Sequence, residues 1–265
     1  MADAWNPAQY AMFRDERAQP FHDLLDLVEP DPGMRVADLG SGTGELTAHL
    51  ADALPGATVE GFDSSPAMLA SAADHASARV AFQLADIADL DGWDRWDLVF
   101  SNAALHWLPD HERLFGQILG ALRPGAQVAV QMPKNGAHAS HRLAADLAAE
   151  PRWRTRLDGF VRADPTLPAE RYVELLEEHG FSCTCFEKIY GHRLESTRAV
   201  VDWVRGTLLT PYLSRLDAEE QDDFVGAYRD RLVRELGDRA PYFYPFRRVL
   251  FCGRKSGPVG DRPDS

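Results

Sequence analysis

The chain has 265 residues, of which 45% are apolar and 26% charged, a composition typical of a globular protein with one large domain or a core and an appendage. Its 28 basic and 41 acidic residues give a formal net charge of -13, which argues against a nucleic-acid partner because phosphate backbones require a cationic face. Three cysteines suggest no disulfide or zinc framework, and no segment reaches the roughly 18 apolar residues of a membrane span. We therefore expect a cytoplasmic protein without a membrane partner.

Strand-like and helix-like segments alternate along the first half of the chain. A helix over residues 8–29 is followed by five predicted strands, which lie at 35–39, 58–63, 79–86, 96–102 and 126–133. Helices are predicted between them at 44–54, 65–76 and 109–122, and Ser65 is the expected N-cap of the second, with Pro66 in its first turn. This alternation indicates an α/β protein with a parallel sheet that is covered on both faces.

The alternation changes after Pro133. Helices are predicted at 137–160, 168–179 and 196–236, the last with a break near LLTPYL, and long strands at 181–194 and 244–255. Two more strands would complete a seven-stranded sheet, and the helical pieces would then form a lid over the strand ends. The expected domains are 1–133 as the N-terminal helix and ligand-binding core, 134–255 as lid insertions plus the last two strands, and 256–265 as a disordered tail.

The stretch DLGSGTG follows a predicted strand and precedes a helix, which is the setting of a nucleotide-binding loop. Gly40, Gly42 and Gly44 give the spacing G-x-G-x-G, and Glu45 stands where the dinucleotide fingerprint has its third glycine. The P-loop pattern also fails, because no Lys-Ser or Lys-Thr pair follows. Asp38 beside the loop would repel a pyrophosphate. The loop therefore favours a cationic ligand that carries no phosphate.

Two further acids end the next two predicted strands. Asp63 is placed to accept hydrogen bonds from both hydroxyls of a ribose. Asp86 can face the exocyclic amine of an adenine, with Ile87 against the ring. Because ligands of such sheets bind at the carboxyl edge of the strands, these acids and Asp38 are expected to converge on one crevice.

The loop and its three acids resemble the class I S-adenosylmethionine-dependent methyltransferases, whose methyl donor carries a sulfonium, an ammonium, a ribose and an adenine. The resemblance implies a Rossmann-like, seven-stranded, mostly parallel sheet with the last strand antiparallel. The segment SNAALHWLPDH resembles the family segment that lines the methionine end of the cofactor. The cofactor-binding residues expected on this resemblance are Tyr10, Asp38, Gly40, Ser41, Gly42, Asp63, Ser64, Met68, Asp86, Ile87, Asn102, Ala103 and Trp107.

More narrowly, the chain is similar to the trans-aconitate 2-methyltransferases along nearly its whole length. The similarity is carried by WNPAQY, the Glu16-Arg17 pair, residues 63–69, SNAALHWLPDH, VAVQMPKN, VVDWV and YPFRRV. The chain differs from the pattern expected of this family in the segment GAHASHRLAADLAAEPRWRTRL and in the residues after DWV. The resemblance implies methyl transfer from S-adenosylmethionine to a carboxylate of a small polycarboxylate, leaving S-adenosylhomocysteine and a monomethyl ester.

A carboxylate is ionised at pH 7, so this reaction requires no general base and we expect no catalytic residue beyond positioning groups. Arginines suit the non-reacting carboxylates because a guanidinium is a two-pronged donor that keeps its proton. Side chains alternate along a strand, so only one of Arg247 and Arg248 can face inward, and Arg247 is the candidate. His138 and His141 are three residues apart, but with no third ligand nearby we expect no metal. The expected substrate-binding residues are Arg17, His106, Gln131, Asn135, His138 and Arg247.

Three other functions remain open from the sequence. The acid substrate can be a different one, such as a malonyl group on an acyl-carrier protein. A nicotinamide dehydrogenase is opposed by Glu45 in the glycine pattern. A non-catalytic S-adenosylmethionine-binding protein would keep the loop and turn over no acid. The expected assembly is a monomer or a weak homodimer.

Overall fold

The computed structural model describes the backbone of residues 14–257 and the side chains of residues 19–257. The strands are β1 (Arg35–Leu39), β2 (Thr58–Asp63), β3 (Val80–Leu84), β4 (Leu98–Asn102), β5 (Gln127–Pro133), β6 (Phe181–Leu194) and β7 (Tyr242–Lys255). All seven predicted strands are present, and β1, β2 and β6 have the predicted bounds. Most of β1, β4 and β5 is buried, as expected of parallel strands with helices on both faces.

The helices of the described chain are α1 (Arg14–Leu25), α2 (Glu45–Ala53), α3 (Pro66–Ala72), α4 (His111–Ala121), α5 (Ala139–Ala148), α6 (Pro151–Arg156), α7 (Ala169–Glu178), α8 (Ala199–Arg205), α9 (Thr210–Leu213) and α10 (Ala218–Leu236). The predicted cap of α3 is confirmed, because the Met68 N–H donates to Ser65 Oγ at 3.1 Å. Among these described helices, none is both long and apolar enough to cross a membrane.

Two predicted helices differ from the observed ones. The helix predicted over 137–160 is two helices, because Pro151 has no N–H to donate and begins α6 instead of continuing α5. The helix predicted to run to residue 29 stops at Leu25, after which the N–H groups of Leu27 and Val28 form tighter turns to carbonyls three residues back.

The sheet has the strand order β3-β2-β1-β4-β5-β7-β6. The pairs β1·β2, β1·β4, β2·β3 and β4·β5 are parallel. Strand β7 is antiparallel to β5, since Gly125 donates to the Lys255 carbonyl and Lys255 donates back to Ala126. The chain order reverses between β1 and β4, and the carboxyl ends of parallel strands at such a reversal form the usual ligand crevice. The predicted seven-stranded fold class is confirmed.

The described chain divides into two compact units, each with its own apolar core. Within the described residues, the core unit comprises Arg17–Pro133, Pro165–Lys188 and residues 249–257, and the second unit comprises residues 14–16, Lys134–Asp164 and Ile189–Arg248. Phe62, Phe115, Tyr172 and Phe251 are among the buried residues of the first core. Trp153, Tyr212, Phe224, Tyr228 and Tyr244 are among those of the second. The predicted domain bounds stay a prediction, and residues 258–265 of the tail lie outside the described residues.

Candidate active site

The glycine loop between β1 and α2 uses its own N–H groups for internal hydrogen bonds. Gly40 and Ser41 both donate to the Phe62 carbonyl, at 2.8 and 3.0 Å. Gly42 donates to Asp63 Oδ2 at 2.9 Å, and Gly44 donates to the Ser41 carbonyl at 3.1 Å. A phosphate-binding loop points several such N–H groups at its ligand. Because these four donors are already engaged, the loop is suited to a ligand without phosphate.

Two of the loop glycines are required by close packing. Gly40 has φ +79°, and a Cβ at this position would lie 2.1 Å from the Ala104 Cβ. Gly44 has φ +80°, and its Cβ would lie 2.6 Å from the Phe82 ring. Both conformations are strained for other residues, and neither position has room for a side chain. The glycines therefore bring the backbone of the loop close to the segment after β4 and to β3.

Asp38 is a buried carboxylate at the carboxyl end of β1, with only 5% of the residue exposed. Its Oδ2 accepts a hydrogen bond from Thr47 Oγ1 on α2 at 2.6 Å. Burial raises the pKa of Asp38 to about 6, the Thr47 bond opposes this shift, and the charge of Asp63 adds to it. A nearby cation would stabilise the ionised form of this buried carboxyl and would lower its pKa.

Asp63, at the end of β2, is held in place by the backbone. Oδ2 accepts from Gly42 and Oδ1 accepts from the Ser65 N–H at 2.9 Å. Each oxygen of a carboxylate can accept about two hydrogen bonds, so this orientation is compatible with further bonds from the two hydroxyls of a ribose. Asp86 follows β3, is exposed, and accepts the Ala88 N–H at 2.9 Å through Oδ1. An exposed carboxylate in this position can also accept from a ligand donor.

The chain turns sharply after β4, where the sequence predicted the methionine end of the cofactor. Ala103 has a left-handed φ of 58°, and its N–H donates to the carbonyl of the fully buried Gln131 at 2.9 Å. Asn102 Oδ1 and Ser41 Oγ are buried, and neither has a hydrogen-bond partner within the described part of the chain. Buried polar atoms are normally satisfied, so these two fit a site that is completed by polar groups of a ligand.

His106 and Trp107 lie in a short turn whose position is set by a buried histidine. Their rings are 5.0 Å apart between centroids, and both residues are half-buried. His111 on α4 contacts the Leu105 carbonyl through Nε2 at 3.0 Å and the Tyr172 hydroxyl through Nδ1 at 2.6 Å. The carbonyl can only accept, so Nε2 carries the proton. The turn is thereby tied to α4 and α7.

The remaining predicted cofactor residues have diverse surroundings. Ser64 is exposed, Ile87 is half-buried, and Met68 is buried in α3. Tyr10 and the side chain of Arg17 lie outside the described residues. The core unit thus brings Asp38, Gly40, Ser41, Gly42, Asp63, Ser64, Met68, Asp86, Ile87, Asn102, Ala103, His106, Trp107 and Gln131 to the carboxyl side of its strands or to the turns beside them. Ligand binding by each of them stays a prediction.

In the second unit, the predicted substrate residues Asn135 and His138 belong to a buried hydrogen-bond network. Asn135 donates to the Tyr244 hydroxyl at 3.3 Å and accepts the Arg247 N–H at 3.2 Å. Ser140 Oγ lies 2.9 Å from the Tyr244 hydroxyl and 3.0 Å from Nδ1 of His138. The Ser140 N–H also donates to this Nδ1, so the ring is neutral with its proton on Nε2. The network gives both residues a structural role.

His141 is the second histidine at this end of α5. Its Nδ1 lies 3.0 Å from Ser140 Oγ, and burial together with the charge of Arg162 lowers the pKa of His141 to about 3. Burial also lowers the pKa of His138. No group of three metal-ligating side chains occurs among the described residues.

The two adjacent arginines of β7 face opposite ways. Arg248 is buried, with 5% exposed, and its guanidinium lies 4.9 Å from the centroid of the Phe246 ring. Arg247 is exposed, and its backbone is held by Asn135 and by Lys134, whose N–H donates to the Arg247 carbonyl. The expectation that only one of the pair faces inward is met, and the inward residue is Arg248. The binding role of Arg247 stays a prediction.

Sequence reasoning missed several residues that shape the site. Thr47, which holds Asp38, could have been suspected from its position in the first turn of the helix that follows the loop. Phe82, which closes on Gly44 and on Gly61, gave no signal because the contact joins β3 to distant segments. Ser140, at the centre of the network with Tyr244, has no distinguishing sequence pattern.

Comparison with known proteins assigns the chain to a family. Residues 36–125 match the family model described as a methyltransferase domain. A trans-aconitate 2-methyltransferase of Deinococcus radiodurans is 45% identical over 95% of this chain and 98% of that protein, and one of Streptomyces coelicolor is 40% identical over 96% and 88%.

Solved structures agree in fold. The YcgJ protein of Bacillus subtilis has a TM-score of 0.58 at 13% identity, covering 91% of this chain and 100% of that one. A phosphoethanolamine N-methyltransferase 2 of Haemonchus contortus, solved with S-adenosyl-L-methionine, has a TM-score of 0.54 at 21% identity, covering 91% and 53%. These likenesses concern the fold, whereas the identities to the curated relatives extend over nearly the whole chain. The chain belongs to the trans-aconitate 2-methyltransferase family.

Proposed function

We propose that the chain is an S-adenosylmethionine-dependent carboxyl O-methyltransferase that converts trans-aconitate into a monomethyl ester. The observation that carries this proposal is the 45% identity over 95% of the chain to a relative named for that activity. The geometry of the core unit supports it independently of the name, because the glycine loop, the buried acid and the strand-end acids suit a cationic nucleoside without phosphate.

The residues of the core unit fit the cofactor in three respects. Asp38 has a raised pKa, so an ammonium next to it would relieve the cost of its buried charge. Asp63 is oriented by one backbone bond at each oxygen, and a carboxylate so held can accept further bonds from ribose hydroxyls. Ser41 Oγ and Asn102 Oδ1 are buried polar atoms that a ligand could satisfy. The N–H groups of the loop are already engaged within the protein, which argues against a dinucleotide ligand. It therefore also argues against the alternative function, a nicotinamide dehydrogenase.

Methyl transfer to a carboxylate depends on how the methyl donor and the acceptor oxygen are positioned, and not on proton transfer. When bound, S-adenosylmethionine would supply an electrophilic methyl group for transfer to the acceptor oxygen. The acceptor carboxylate is already ionised at pH 7, so the protein need not remove a proton. We propose that Trp107, His106 and Gln131 shape a dry space at the end of β4 and β5 and orient the acceptor.

In the core unit, Gln131 and His106 are the residues proposed to bind the acid. Asn135 and His138 of the second unit are neutral hydrogen-bonding groups, and their role in acid binding stays a prediction. Neutral donors suit the reacting carboxylate, because a cation on its oxygen would reduce its nucleophilicity. Cations suit the other carboxylates. We propose a small acid as the partner, and a malonyl-carrier protein as the less favoured alternative.

A methyl-transfer assay tests the proposal. The protein is incubated with S-adenosylmethionine labelled in the methyl group and with a panel of di- and tricarboxylic acids that includes trans-aconitate, and products are identified by mass spectrometry. We expect label in a base-labile ester of trans-aconitate, and much less with the Asp63→Ala variant. A malonyl-carrier protein added to the panel tests the alternative substrate. The proposal fails if S-adenosylhomocysteine binds while no acid gains a methyl group.

A further inference from the structure

We infer that the core unit has a second binding site, which takes a small anion that carries hydroxyl groups. A cavity of about 340 Å³ lies at the amino ends of β1, β2 and β3, and its size suits a small organic molecule. The lining residues that concern the inference are Arg35, Thr58, Glu60, Arg95 and Trp96. All of them belong to the core unit. The inference does not depend on the proposed function.

The cavity is separate from the candidate site for the methyl donor. Asp38 and Asp63 lie at the carboxyl ends of β1 and β2, whereas the cavity is lined by Arg35 and Thr58, which begin these strands. Arg35 and Asp38 are three residues apart, which corresponds to about 10 Å along an extended strand. A small molecule bound at Arg35 therefore does not compete with a ligand bound at Asp38.

The strand register brings the polar lining residues to one face of the sheet. Arg35 of β1 is paired with Thr58 of β2, and Glu60 follows Thr58 by two residues, so the three side chains point to the same side. Phe62 is two residues further along β2, and its ring packs edge-on against Trp96, with 6.0 Å between the centroids. Trp96 therefore covers the same face and forms an apolar wall beside the charged groups.

Arg95 supplies an oriented guanidinium for an anion. Its Cζ lies 4.6 Å from the centroid of the Trp96 ring, so the ring face supports the guanidinium. Within residues 19–257, this guanidinium has no hydrogen-bond or ion-pair partner. The N–H donors of arginine lie in the guanidinium plane and match two oxygens of a carboxylate or a phosphate. Arg95 is therefore the principal anion-binding group of the cavity.

Arg35 is a second cation, and it is only weakly paired. Its Nε lies 3.8 Å from Asp97 Oδ2, which already accepts the backbone N–H of Arg35 at 2.7 Å. The other oxygen of Asp97 forms an ion pair with Arg123. The Arg35 guanidinium forms no hydrogen bond with any residue that the structure describes. Its donors thus remain available to an anion in the cavity.

The other charged lining residues determine which anion fits. Arg79 is engaged within the protein, because Nη1 donates to the Ala51 carbonyl and Nη2 donates to Asp52 at 2.9 Å. Glu60 is half-buried, and its carboxylate has no hydrogen-bond or ion-pair partner in the described part of the chain. An ionised carboxylate only accepts hydrogen bonds, so Glu60 repels a bare anion and accepts from a hydroxyl. A molecule with a carboxylate or phosphate at one end and hydroxyls at the other satisfies both arginines and Glu60.

Nuclear magnetic resonance of the Trp96 indole N–H tests the inference on the whole protein. The signal is assigned with Trp96→Phe, and it reports binding in the cavity but not at the carboxyl ends of the strands. Glucose 6-phosphate and gluconate are the two anionic probes, and they distinguish a phosphate from a carboxylate. Glucose is the uncharged control. We expect a saturable shift with at least one of the two anions, at a Kd of about 1 mM or tighter, and no shift with glucose.

Substitution of the arginine shows whether it makes the contact. Arg95→Met should raise the Kd of the bound anion about tenfold or more, because at least one charge-assisted hydrogen bond is lost. Arg95 is exposed, so the variant should keep the wild-type melting temperature. Arg154→Met is the matched control, since Arg154 is an exposed arginine of α6 whose guanidinium is likewise without a partner among the described residues. This control should bind the anion as wild type does.

Substitution of the acid tests the selectivity for hydroxyl groups. Glu60→Gln removes the charge that repels a bare anion and keeps a similar shape. The preference for glucose 6-phosphate over inorganic phosphate, or for gluconate over acetate, should therefore fall about threefold or more. An unchanged preference would remove the hydroxyl contact with Glu60 from the inference.

Three results would overturn the inference as a whole. The first is a Trp96 signal that neither anion shifts, and the second is an equal Kd in wild type and Arg95→Met. The third is an equal loss of binding in Arg95→Met and Arg154→Met, which would indicate a general effect of charge. Methyl transfer is not measured in these experiments, so a protein that methylates no acid would refute the proposed function and leave this inference unaffected.

Discussion

Replacing Asp38 by asparagine tests whether a buried carboxylate is held ready for a cationic ligand. Burial raises the pKa of this carboxyl from an ordinary 3.8 to about 6, with a smaller contribution from the charge of Asp63. At about 1.4 kcal/mol per pKa unit, keeping Asp38 ionised at pH 7 costs the ligand-free protein about 3 kcal/mol. Asparagine has a similar shape and no charge, so it removes this cost.

The direction of the pH effect follows from the raised pKa. A carboxyl whose pKa is higher in the folded than in the unfolded protein stabilises the fold below pH 3.8 and loses this contribution as the pH rises through about 6. Relative to Asp38→Asn, the free energy of unfolding of wild type should therefore increase by up to about 3 kcal/mol between pH 7 and pH 4. Urea unfolding of the ligand-free proteins at several pH values measures this difference.

The affinity for the ligand should depend on pH in the opposite direction to the stability of the fold. An ammonium beside Asp38 favours the ionised form, so binding lowers the pKa and weakens as the pH falls. With a pKa of about 6 in the free protein, roughly one tenth of Asp38 is ionised at pH 5, and the Kd for S-adenosylhomocysteine should be about tenfold higher than at pH 7. Calorimetry should find a much flatter profile and weaker binding at pH 7 in Asp38→Asn. Identical pH profiles in the two proteins would refute the reasoning.

Three further substitutions have defined outcomes. Gly40→Ala would place a Cβ 2.1 Å from that of Ala104 at φ +79°, so both the melting temperature and the affinity for S-adenosylhomocysteine should drop, and unchanged values would remove the packing argument. Asp63→Ala should weaken cofactor binding by about 1.5–3 kcal/mol for each ribose hydrogen bond, and calorimetry with an unaltered Kd would place the ribose elsewhere. Tyr244→Phe removes the hydroxyl that contacts Ser140 and should lower the free energy of unfolding by about 1–2 kcal/mol, measured in urea, which a wild-type midpoint would contradict.

The fold was largely predictable because local signals and the global pattern agree. Strand β2 has its predicted bounds, since Pro-Gly-Ala precedes Thr58 and a capped helix start follows Asp63. The error at Pro151 came from extending an apolar helical pattern across a residue that cannot donate a hydrogen bond inside a helix. The order of β6 and β7 in the sheet was not readable from local pattern, and the resemblance was the basis only for the antiparallel direction of the last strand.

The site was only partly predictable because its geometry depends on contacts between distant segments. The acids Asp38, Asp63 and Asp86 were readable, since each ends or follows a strand of a parallel sheet. Which of two adjacent arginines faces inward depends on how β7 packs in the second unit, and alternation alone leaves two choices. Tyr244, which contacts the Ser140 hydroxyl at 2.9 Å, lies 104 residues away in the sequence, so no local pattern indicates this contact.

The most direct test of the account is a calorimetric comparison of two ligands on the wild-type protein at pH 7. The account predicts that S-adenosylhomocysteine binds with measurable heat at a single site and that NAD gives none, because the N–H groups of Gly40, Ser41, Gly42 and Gly44 are already engaged within the protein. Tight binding of NAD, with no heat from S-adenosylhomocysteine, would contradict it.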